Sequence, residues 1–200
     1  MTTASESDPQ KLRGDAARNR QRLLQAARQI ADEGQALQFN QVARRAEVGV
    51  GTVYRHFATP EALLETLVMP RFEGLLAAAR DIVAIEDNWL ALTTFLAEAV
   101  KAQLSDRGFA SVVEAPNNAL PQTLRLKAAL GEIFETLLAA SLQAGSIRSD
   151  VTSADINALL CGLSHSIRLR SGQAADDPKY LQRYVDILVS GLKRPPEPAS

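Results

Sequence analysis

Apolar residues recur at three- and four-residue spacing along nearly the whole chain, and this recurrence constrains the fold more than any other feature of the sequence. Such spacing places apolar side chains on one face of a helix. β-Branched and aromatic residues rarely alternate with polar ones, as they would in half-buried strands. A chain of 200 residues is also long enough to bury a sizeable core. The sequence therefore predicts an all-α protein with about nine helices and short loops.

The helix boundaries follow from the apolar stripes and from residues that begin or end helices. One stripe covers residues 23–31, and a second covers residues 63–76. Thr59 and Pro60 precede the second stripe, and these residue types suit the N-cap and the first helical position. Pro70 lies inside that stripe and should kink or divide the helix. Further helices are predicted at about residues 88–105, 121–144, 152–170 and 178–192, separated by breakers at Gly108, Pro116, Gly145 and Gly172.

The segment VGVGTVYRHFATPEALL, residues 48–64, departs from this pattern because two glycines lead into a polar and aromatic run. The preceding FNQVARRAEV predicts a short helix that begins near Asn40, a plausible N-cap. After a turn, a second short helix is expected from about Val50 to His56. Two short helices joined by a tight turn are typical of a helix-turn-helix, whose second helix enters the major groove of DNA.

A helical wheel gives the second short helix two different sides. Val53 and Phe57 share the inward side and can hold the helix on a neighbour. Thr52, Arg55 and His56 cluster on the outward side, which is rich in hydrogen-bond donors and carries no carboxylate. This outward side is the first candidate for a functional surface.

The residues of this helix pair resemble those of the TetR family of transcriptional regulators. The family pattern is small–Gly–Val–Ser–x–Gly–Thr–Leu–Tyr–x–His–Phe, followed by an acidic residue before Ala-Leu-Leu. This chain has AEVGVGTVYRHF at residues 46–57 and EALL at residues 61–64. The resemblance begins at RNRQRLLQAARQIADEG and reaches the start of the next long helix. More loosely, SIRSDVTSADINALLCGL is similar to the penultimate helix of one subgroup.

Three positions depart from the family pattern. Glu47 replaces the turn glycine, so a left-handed backbone there would cost about 1–2 kcal/mol. Gly49 replaces the capping serine and supplies no side-chain acceptor. Thr59-Pro60 replaces the usual lysine, which removes an expected phosphate contact but leaves a helix N-terminus open to an anion. Gly51 agrees with the family pattern. Glycine inside a helix costs about 1 kcal/mol relative to Ala, so its presence here indicates that a partner approaches the helix backbone closely.

The resemblance implies a ligand-responsive bacterial repressor that binds a palindromic operator as a homodimer and is released by a small-molecule effector. It implies an N-terminal three-helix DNA-binding domain and a helical C-terminal domain for dimerisation and effector binding. The predicted segments are a flexible arm (1–13), the helix-turn-helix domain (14–58), the effector-binding and dimerisation domain (59–193) and a disordered tail (194–200).

Roles on DNA follow from this resemblance and from side-chain chemistry. Arginine binds guanine bidentately and threonine meets a thymine methyl group. Arg55 and Thr52 would therefore face base edges, together with Gly51 and Val50. Tyr54 and His56 would contact phosphates and fix the register; local packing is the alternative for both. Solvation is an equal alternative for Arg18, Arg20 and Arg22, and Arg13 in the arm could reach a minor groove. The predicted DNA-binding residues are Arg18, Asn40, Arg44, Arg45, Val50, Gly51, Thr52, Tyr54, Arg55, His56 and Thr59.

The last two predicted helices carry apolar stripes on more than one face. One stripe is predicted to face the core: Ile156, Leu159, Leu160, Leu163 and Ile167. A second stripe of small residues would let another helix come close, and pairing with a two-fold copy would bury it. Packing of both stripes within one chain is the alternative. The predicted dimer-interface residues are Ala158, Gly162, Ser166, Leu181, Tyr184, Val185 and Leu188.

Large or polar side chains on the C-terminal helices are candidates for an effector pocket, with an ordinary core or surface role as the alternative for each. His165 beside Arg168 favours an anionic or hydrogen-bonding effector. Cys161 lacks a nearby partner for metal or redox chemistry and is interpreted as a small core residue. The predicted pocket residues are Trp89, Phe95, Phe109, Phe134, Cys161, His165 and Arg168.

Charge and composition bound the remaining functions. Residues 1–58 carry nine Lys/Arg against six Asp/Glu, a net +3, and the remainder carries thirteen against seventeen, a net -4. Nucleic acid is therefore a candidate partner for the N-terminal part only, and a merely solvated surface is the alternative. The sequence has no apolar run near the ~20 residues of a membrane span, no signal pattern and a single cysteine, so a cytoplasmic protein without membrane contact is expected.

An enzyme and a helical interaction module that does not bind DNA are the competing interpretations. The sequence has no nucleophile–base pair, metal-ligand spacing or glycine-rich phosphate loop, so no enzymatic activity, cofactor or metal is expected. The charge split and the donor-only side formed by Thr52, Arg55 and His56 argue against the interaction module.

Overall fold

The computed structural model describes residues 9–169 and 178–194, with side chains described for residues 15–167 and 182–194. Within these residues the protein has nine helices and no strand, and one isolated antiparallel bridge joins Ile147 to Lys193. The all-α prediction is confirmed. The helices are α1 (Pro9–Asp32), α2 (Phe39–Arg45), α3 (Val50–His56), α4 (Pro60–Ile82), α5 (Asn88–Ser105), α6 (Arg107–Glu114), α7 (Pro121–Gln143), α8 (Ser153–Leu169) and α9 (Pro178–Leu192).

Most helix boundaries agree with the sequence prediction. α3, α5 and α9 have the predicted bounds, and the ends of α7 and α8 differ from them by at most one residue. Local capping explains several of these starts. The carboxylate of Asp87 accepts a hydrogen bond from the backbone N–H of Leu90 at 2.9 Å and caps α5. Thr59 Oγ1 accepts from the backbone N–H of Ala62 at 3.1 Å and caps α4, as its sequence position predicted.

Gly108 was predicted to separate helices, and this is wrong because it lies buried inside α6. Asp106 begins this helix: its carboxylate accepts a hydrogen bond from the backbone N–H of Phe109 at 2.9 Å. Phe109 packs on Phe72 with ring centroids 4.5 Å apart, and this burial offsets the low helix propensity of glycine.

Three smaller boundary predictions are also corrected. α2 begins at Phe39 with Gln38 as its N-cap, so Asn40 lies inside the helix instead of capping it. α1 begins at Pro9 and takes in the end of the predicted arm, because proline suits the first helical position. Pro70 does not divide α4, which runs unbroken from Pro60 to Ile82. A proline removes one backbone hydrogen bond, which the remaining bonds of a 23-residue helix can tolerate.

The chain divides into two compact units, residues 1–68 and residues 69–200, and the boundary falls within α4. In the first unit α2 packs on α1 and on α3. Its core lies between these helices and includes Leu23, Ile30, Val42 and Val53, all fully buried.

In the second unit α5 is the central helix and packs on α6, α7, α8 and α9. Ser141 Oγ donates a hydrogen bond to the backbone carbonyl of Asn88 at 2.9 Å, which joins the end of α7 to the start of α5. Midway along the pair, Phe95 and Phe134 stack with ring centroids 5.9 Å apart. The two helices therefore run antiparallel.

Candidate nucleic-acid interface and apolar groove

The turn between α2 and α3 has a left-handed residue. Glu47 has φ = 54°, as expected for the position where the family pattern has glycine. A non-glycine residue in this conformation costs about 1–2 kcal/mol. The backbone N–H of Val48 donates to the carbonyl of Ala43 at 3.0 Å and closes the turn. The carboxylate of Glu47 lies 3.4 Å from the guanidinium of Arg22, but both side chains are too exposed for a strong ion pair.

α3 is held on the first unit by its inward side. Val53 and Phe57 are buried in the core, as the helical wheel predicted. Tyr54 adds a third contact, because its ring meets the ring of Phe39 edge-on with centroids 4.8 Å apart and an interplanar angle of 86°. Tyr54 nevertheless stays 63% exposed. Its ring is thus fixed by packing while much of the side chain faces outward.

The outward side of α3 carries hydrogen-bond donors and no negatively charged side chain. Val50, Gly51 and Arg55 are exposed, and Thr52 and His56 are half-buried. Among the described residues, neither the guanidinium of Arg55 nor that of Arg44 in α2 has a hydrogen bond or ion pair with another residue of the chain. Gly49 caps α3 without a side-chain acceptor, as predicted. This arrangement can receive phosphate oxygens and the acceptor atoms of bases.

The other arginines of the first unit whose side chains are described have partners within the chain. Arg45 donates two hydrogen bonds, at 2.6 and 3.1 Å, to the carboxylate of Glu33. These bonds hold the pKa of Glu33 below its usual range and raise the pKa of Arg45. Arg18 pairs with Asp15, and the guanidinium of Arg20 lies 5.8 Å from the ring centre of Phe57. Arg44 and Arg55 are therefore the most available of the predicted contacts.

Asn40 and Thr59, the remaining predicted DNA-binding residues, are both exposed. Asn40 lies in the first turn of α2, and Thr59 is the N-cap of α4. The Thr59 hydroxyl already accepts an intrahelical hydrogen bond, so an anion here would meet the other backbone N–H groups of the first turn.

The structure brings only some of the predicted effector-pocket residues together: Phe95 and Phe134 stack in the core of the second unit, and Trp89 packs against the same core. Phe95, Phe109 and Phe134 are buried in packed positions, and Trp89 is half-buried with the ammonium of Lys193 at 6.0 Å from its ring centre. Cys161 is half-buried and His165 is exposed, whereas the side chain of Arg168 lies outside the described residues.

An apolar groove instead lies between α8 and α9. Leu159, predicted to face the core, is 50% exposed in it, because α8 turns Ile156, Leu160 and Ile167 inward. Ile187 of α9 is 58% exposed in the same groove, and the sequence-based prediction missed it. It follows Tyr184 by three residues, so helical spacing could have identified it. The groove is lined by Arg148, Asp150, Val151, Asp155, Ala158, Leu159, Gly162, Leu163, Tyr184, Ile187, Leu188, Gly191 and Leu192.

Four predicted dimer residues, Ala158, Gly162, Tyr184 and Leu188, thus lie together in the groove. Ser166 is exposed on the same helix as Gly162 but does not line it. Val185 is only 4% exposed and packs in the core of its own unit instead, since α9 turns it toward Leu192 and the central helix. The side chain of Leu181 lies outside the described residues.

The charged rim of the groove is formed by the loop before α8. Arg148 donates two hydrogen bonds to Asp150, at 2.9 and 2.6 Å, and this pairing lowers the pKa of the carboxyl. Thr152 donates to Asp155 and lowers its pKa in the same way. The described residues hold no cluster of three or more potential metal-ligating side chains, and no described helix is long and apolar enough to cross a membrane.

Two families of known sequences match the chain. Residues 89–194 match the family described as "Transcriptional regulator SbtR-like, C-terminal domain", and residues 23–67 match "Bacterial regulatory proteins, tetR family". A helix-turn-helix-type transcriptional regulator of Staphylococcus aureus (strain MRSA252) is 28% identical over 87 residues, or 42% of this chain and 46% of that protein. A regulator from strain USA300 is 25% identical over 112 residues, or 54% and 60%. The chain spans about half the length of the curated relatives it matches.

Solved structures share the fold. The transcriptional regulator FadR from Bacillus subtilis, crystallised with stearoyl-CoA, is 18% identical with a TM-score of 0.61, over 86% of this chain and 98% of that one. The TetR family regulator PfmR from Thermus thermophilus is 21% identical with the same TM-score, over 86% and 99%. A TetR transcriptional regulator from Streptomyces coelicolor is 27% identical with a TM-score of 0.53, over 87% and 98%.

The family matches and the geometry agree. The C-terminal match alone covers more than half of the chain, and the N-terminal match contains both helices of the turn at Glu47. The chain belongs to the TetR family of bacterial helix-turn-helix transcriptional regulators, with an SbtR-like C-terminal domain.

Proposed function

We propose that this regulator is a cytoplasmic repressor that binds a palindromic DNA operator as a homodimer and is released by a small-molecule effector. The observation that carries the DNA-binding role is the outward side of α3, where exposed Arg55 stands beside Thr52 and Gly51 without a partner in the described part of the chain. An unpaired arginine on a recognition helix is available for the bidentate contact to guanine. Arg44 on α2 is equally available to a phosphate.

The dimer is supported by the groove between α8 and α9. Leu159 and Ile187 leave apolar surface exposed there, and Ala158 and Gly162 are small enough for another helix to come close. A two-fold axis would place the groove of one copy against that of the other and bury this surface. Two copies would present two recognition helices, which explains why the operator should be palindromic.

Effector binding is supported by buried polar groups in the second unit. The side-chain oxygens Gln103 Oε1 and Thr123 Oγ1 are buried and make no hydrogen bond within the described structure. A buried acceptor without a donor costs about 1–3 kcal/mol, so a bound molecule that donates a hydrogen bond to either oxygen would stabilise the protein. Mass spectrometry of small molecules released from the purified protein tests this part of the proposal, and variants of Gln103 and Thr123 should retain less of any ligand found.

DNA binding is tested by selecting duplexes from a randomised library with the full-length protein and measuring the affinity by fluorescence anisotropy. We expect enrichment of a palindrome whose half-sites lie about 34–36 Å apart, or a multiple of this. The logarithm of the binding constant should fall with the logarithm of salt by about 0.9 per phosphate contact. No enriched sequence, or specific binding that is flat with salt, would refute the proposal.

Two variants then separate base reading from phosphate contact. Arg55→Ala should cost about 1–3 kcal/mol on the selected operator and relax the preference at one base pair per half-site. Tyr54→Phe keeps the ring on Phe39 and removes only the hydroxyl group, so it should weaken binding to all sequences alike. Equal losses on specific and nonspecific DNA from both variants would contradict these roles.

A further inference from the structure

The first residue of α3, Val50, is an apolar side chain that the first unit does not use. It is 39% exposed and does not belong to the core cluster of that unit, whereas Val48, two residues earlier, packs against it. Val53 satisfies the packing of the helix one turn later. A β-branched residue also has lower helix propensity than alanine, so Val50 has no evident role within its own chain.

Glycines flank this valine on both sides. A Cβ atom placed on Gly49 or Gly51 would meet nothing within 4 Å, so no other part of the chain occupies the place of a side chain at either flanking position. Val50 is the first residue of α3, its side chain is partly exposed, and its two neighbours in sequence contribute only backbone. A partner that approaches this end of the helix can reach the exposed part of Val50 without meeting a side chain at residue 49 or 51.

Chemistry limits what a valine can recognise there. The N-terminal residues of a recognition helix contact base edges in the major groove. A valine side chain can neither donate nor accept a hydrogen bond, so it distinguishes bases only by apolar contact, and the apolar group in the major groove is the C5-methyl of thymine. Resting on the proposed DNA-binding function, we infer that Val50 reads the methyl group of a thymine in each half-site.

The test replaces thymines of the selected operator one at a time by deoxyuridine, which removes the C5-methyl group and keeps every hydrogen-bonding atom. Burial of one methyl group contributes about 0.8 kcal/mol, so wild-type affinity should fall about fourfold per half-site at the position that Val50 reads. In Val50→Ala this position should become less sensitive to the replacement, because the two Cγ methyl groups are removed and only the Cβ methyl remains to contact the base. Val83→Ala, which truncates an exposed valine of the second unit, is the control and should keep the wild-type pattern.

The alternative reader is Thr52, whose methyl group could make the same contact. Thr52→Ser removes that methyl and keeps the hydroxyl group, so it should leave the Val50-dependent position sensitive. Loss of sensitivity in Thr52→Ser but not in Val50→Ala overturns the inference, and so does a selected operator in which no thymine methyl affects wild-type affinity. Both outcomes are distinct from failure of the proposed function, in which no operator is selected at all. Thermal unfolding should confirm that Val50→Ala stays folded, because the residue is exposed and alanine favours helix.

Discussion

α3 and α8 each carry an exposed glycine, and the surroundings of the two glycines differ. A Cβ atom at Gly51 or Gly162 would meet nothing within 4 Å, so neither glycine is required by packing in its own unit. Gly51 is followed by Thr52 and lies one turn from Arg55, whereas Gly162 lines a groove with Ala158 and Leu159. The open space therefore lies beside hydrogen-bond donors in α3 and beside apolar side chains in α8. The neighbours of an unexplained glycine thus indicate the kind of partner it accommodates.

Two further helical glycines provide the control for this comparison. Gly74 in α4 and Gly131 in α7 are also exposed, and a Cβ atom placed on either would meet nothing within 4 Å. Neither lines the apolar groove or lies on α3. Open space alone is thus not evidence of a partner, and substitutions at these two glycines should leave both proposed functions intact.

The largest effect is expected from Gly162→Leu. The Cβ atom of the leucine would meet nothing of its own chain within 4 Å. In a dimer the side chain would enter the groove of both copies, and overpacking costs about 1–3 kcal/mol per site. Two symmetric sites double the penalty, which should weaken dimerisation at least ~30-fold and reduce operator affinity with it. Sedimentation equilibrium and fluorescence anisotropy measure the two losses.

Gly131→Leu is the matched control, because it makes the same change on an exposed helix face away from the groove. It should fold, dimerise and bind DNA as the wild type does. A monomeric wild type, or a Gly162→Leu protein that dimerises normally, would contradict the placement of the interface.

An intermediate effect is expected from Gly51→Ala, which should stabilise the fold and weaken DNA binding. Alanine should raise the free energy of unfolding by about 0.5–1 kcal/mol, since glycine is unfavourable in a helix and the added methyl meets nothing in the chain. On DNA the same methyl should weaken binding by about 1–3 kcal/mol if the helix backbone approaches the groove closely. Denaturant unfolding and DNA titration give the two values. Gly74→Ala is the control and should increase stability without changing DNA affinity. A Gly51→Ala protein that binds DNA normally would contradict a close approach of the α3 backbone to the DNA groove.

The smallest effect is expected from Glu33→Gln, which releases Arg45. Since the pKa of Glu33 is lowered in the folded protein, its ion pair stabilises the fold above the ordinary carboxyl pKa, and this contribution disappears as the pH falls. If the freed Arg45 then contacts a phosphate, the salt dependence of DNA binding should steepen by about 0.9. Asp150→Asn breaks the similar pair with Arg148 in the second unit and should leave that slope unchanged. An unchanged slope in Glu33→Gln would assign Arg45 a structural role only.

The helix-turn-helix could be predicted from the sequence because its information is local. The bounds of α3 and its buried side follow from the spacing of Val53 and Phe57, and the left-handed turn follows from the position of Glu47 in the family pattern. Partners from other helices could not be predicted in this way. The pairing of Arg45 with Glu33 and the contact of Tyr54 with Phe39 depend on how α1, α2 and α3 pack.

The second unit was predicted less well for the same reason. The spacing of apolar residues predicts its helices but does not predict which helices pack together. The large side chains predicted to line a pocket therefore include Phe95 and Phe134, which stack in the core. Leu159 was assigned to the core because a stripe of leucines does not show which members face out. α6 was missed because Gly108 was interpreted without the capping carboxylate of Asp106 two residues earlier.

The position of the core residues along the chain has a consequence for synthesis. The core of the first unit is complete once Leu63 has been made, whereas that of the second unit requires Val185 and Leu192. The end of α9 is then tied back by backbone hydrogen bonds from Arg148 to Leu192 and from Arg194 to Ser146, at 3.1 and 3.2 Å. At about 5–20 residues per second, roughly ten seconds of translation separate the two events. A nascent chain therefore holds the helices that we propose read DNA before it holds the surface that we propose binds a second copy. Dimerisation between chains growing on one messenger would then wait until the last helix is made.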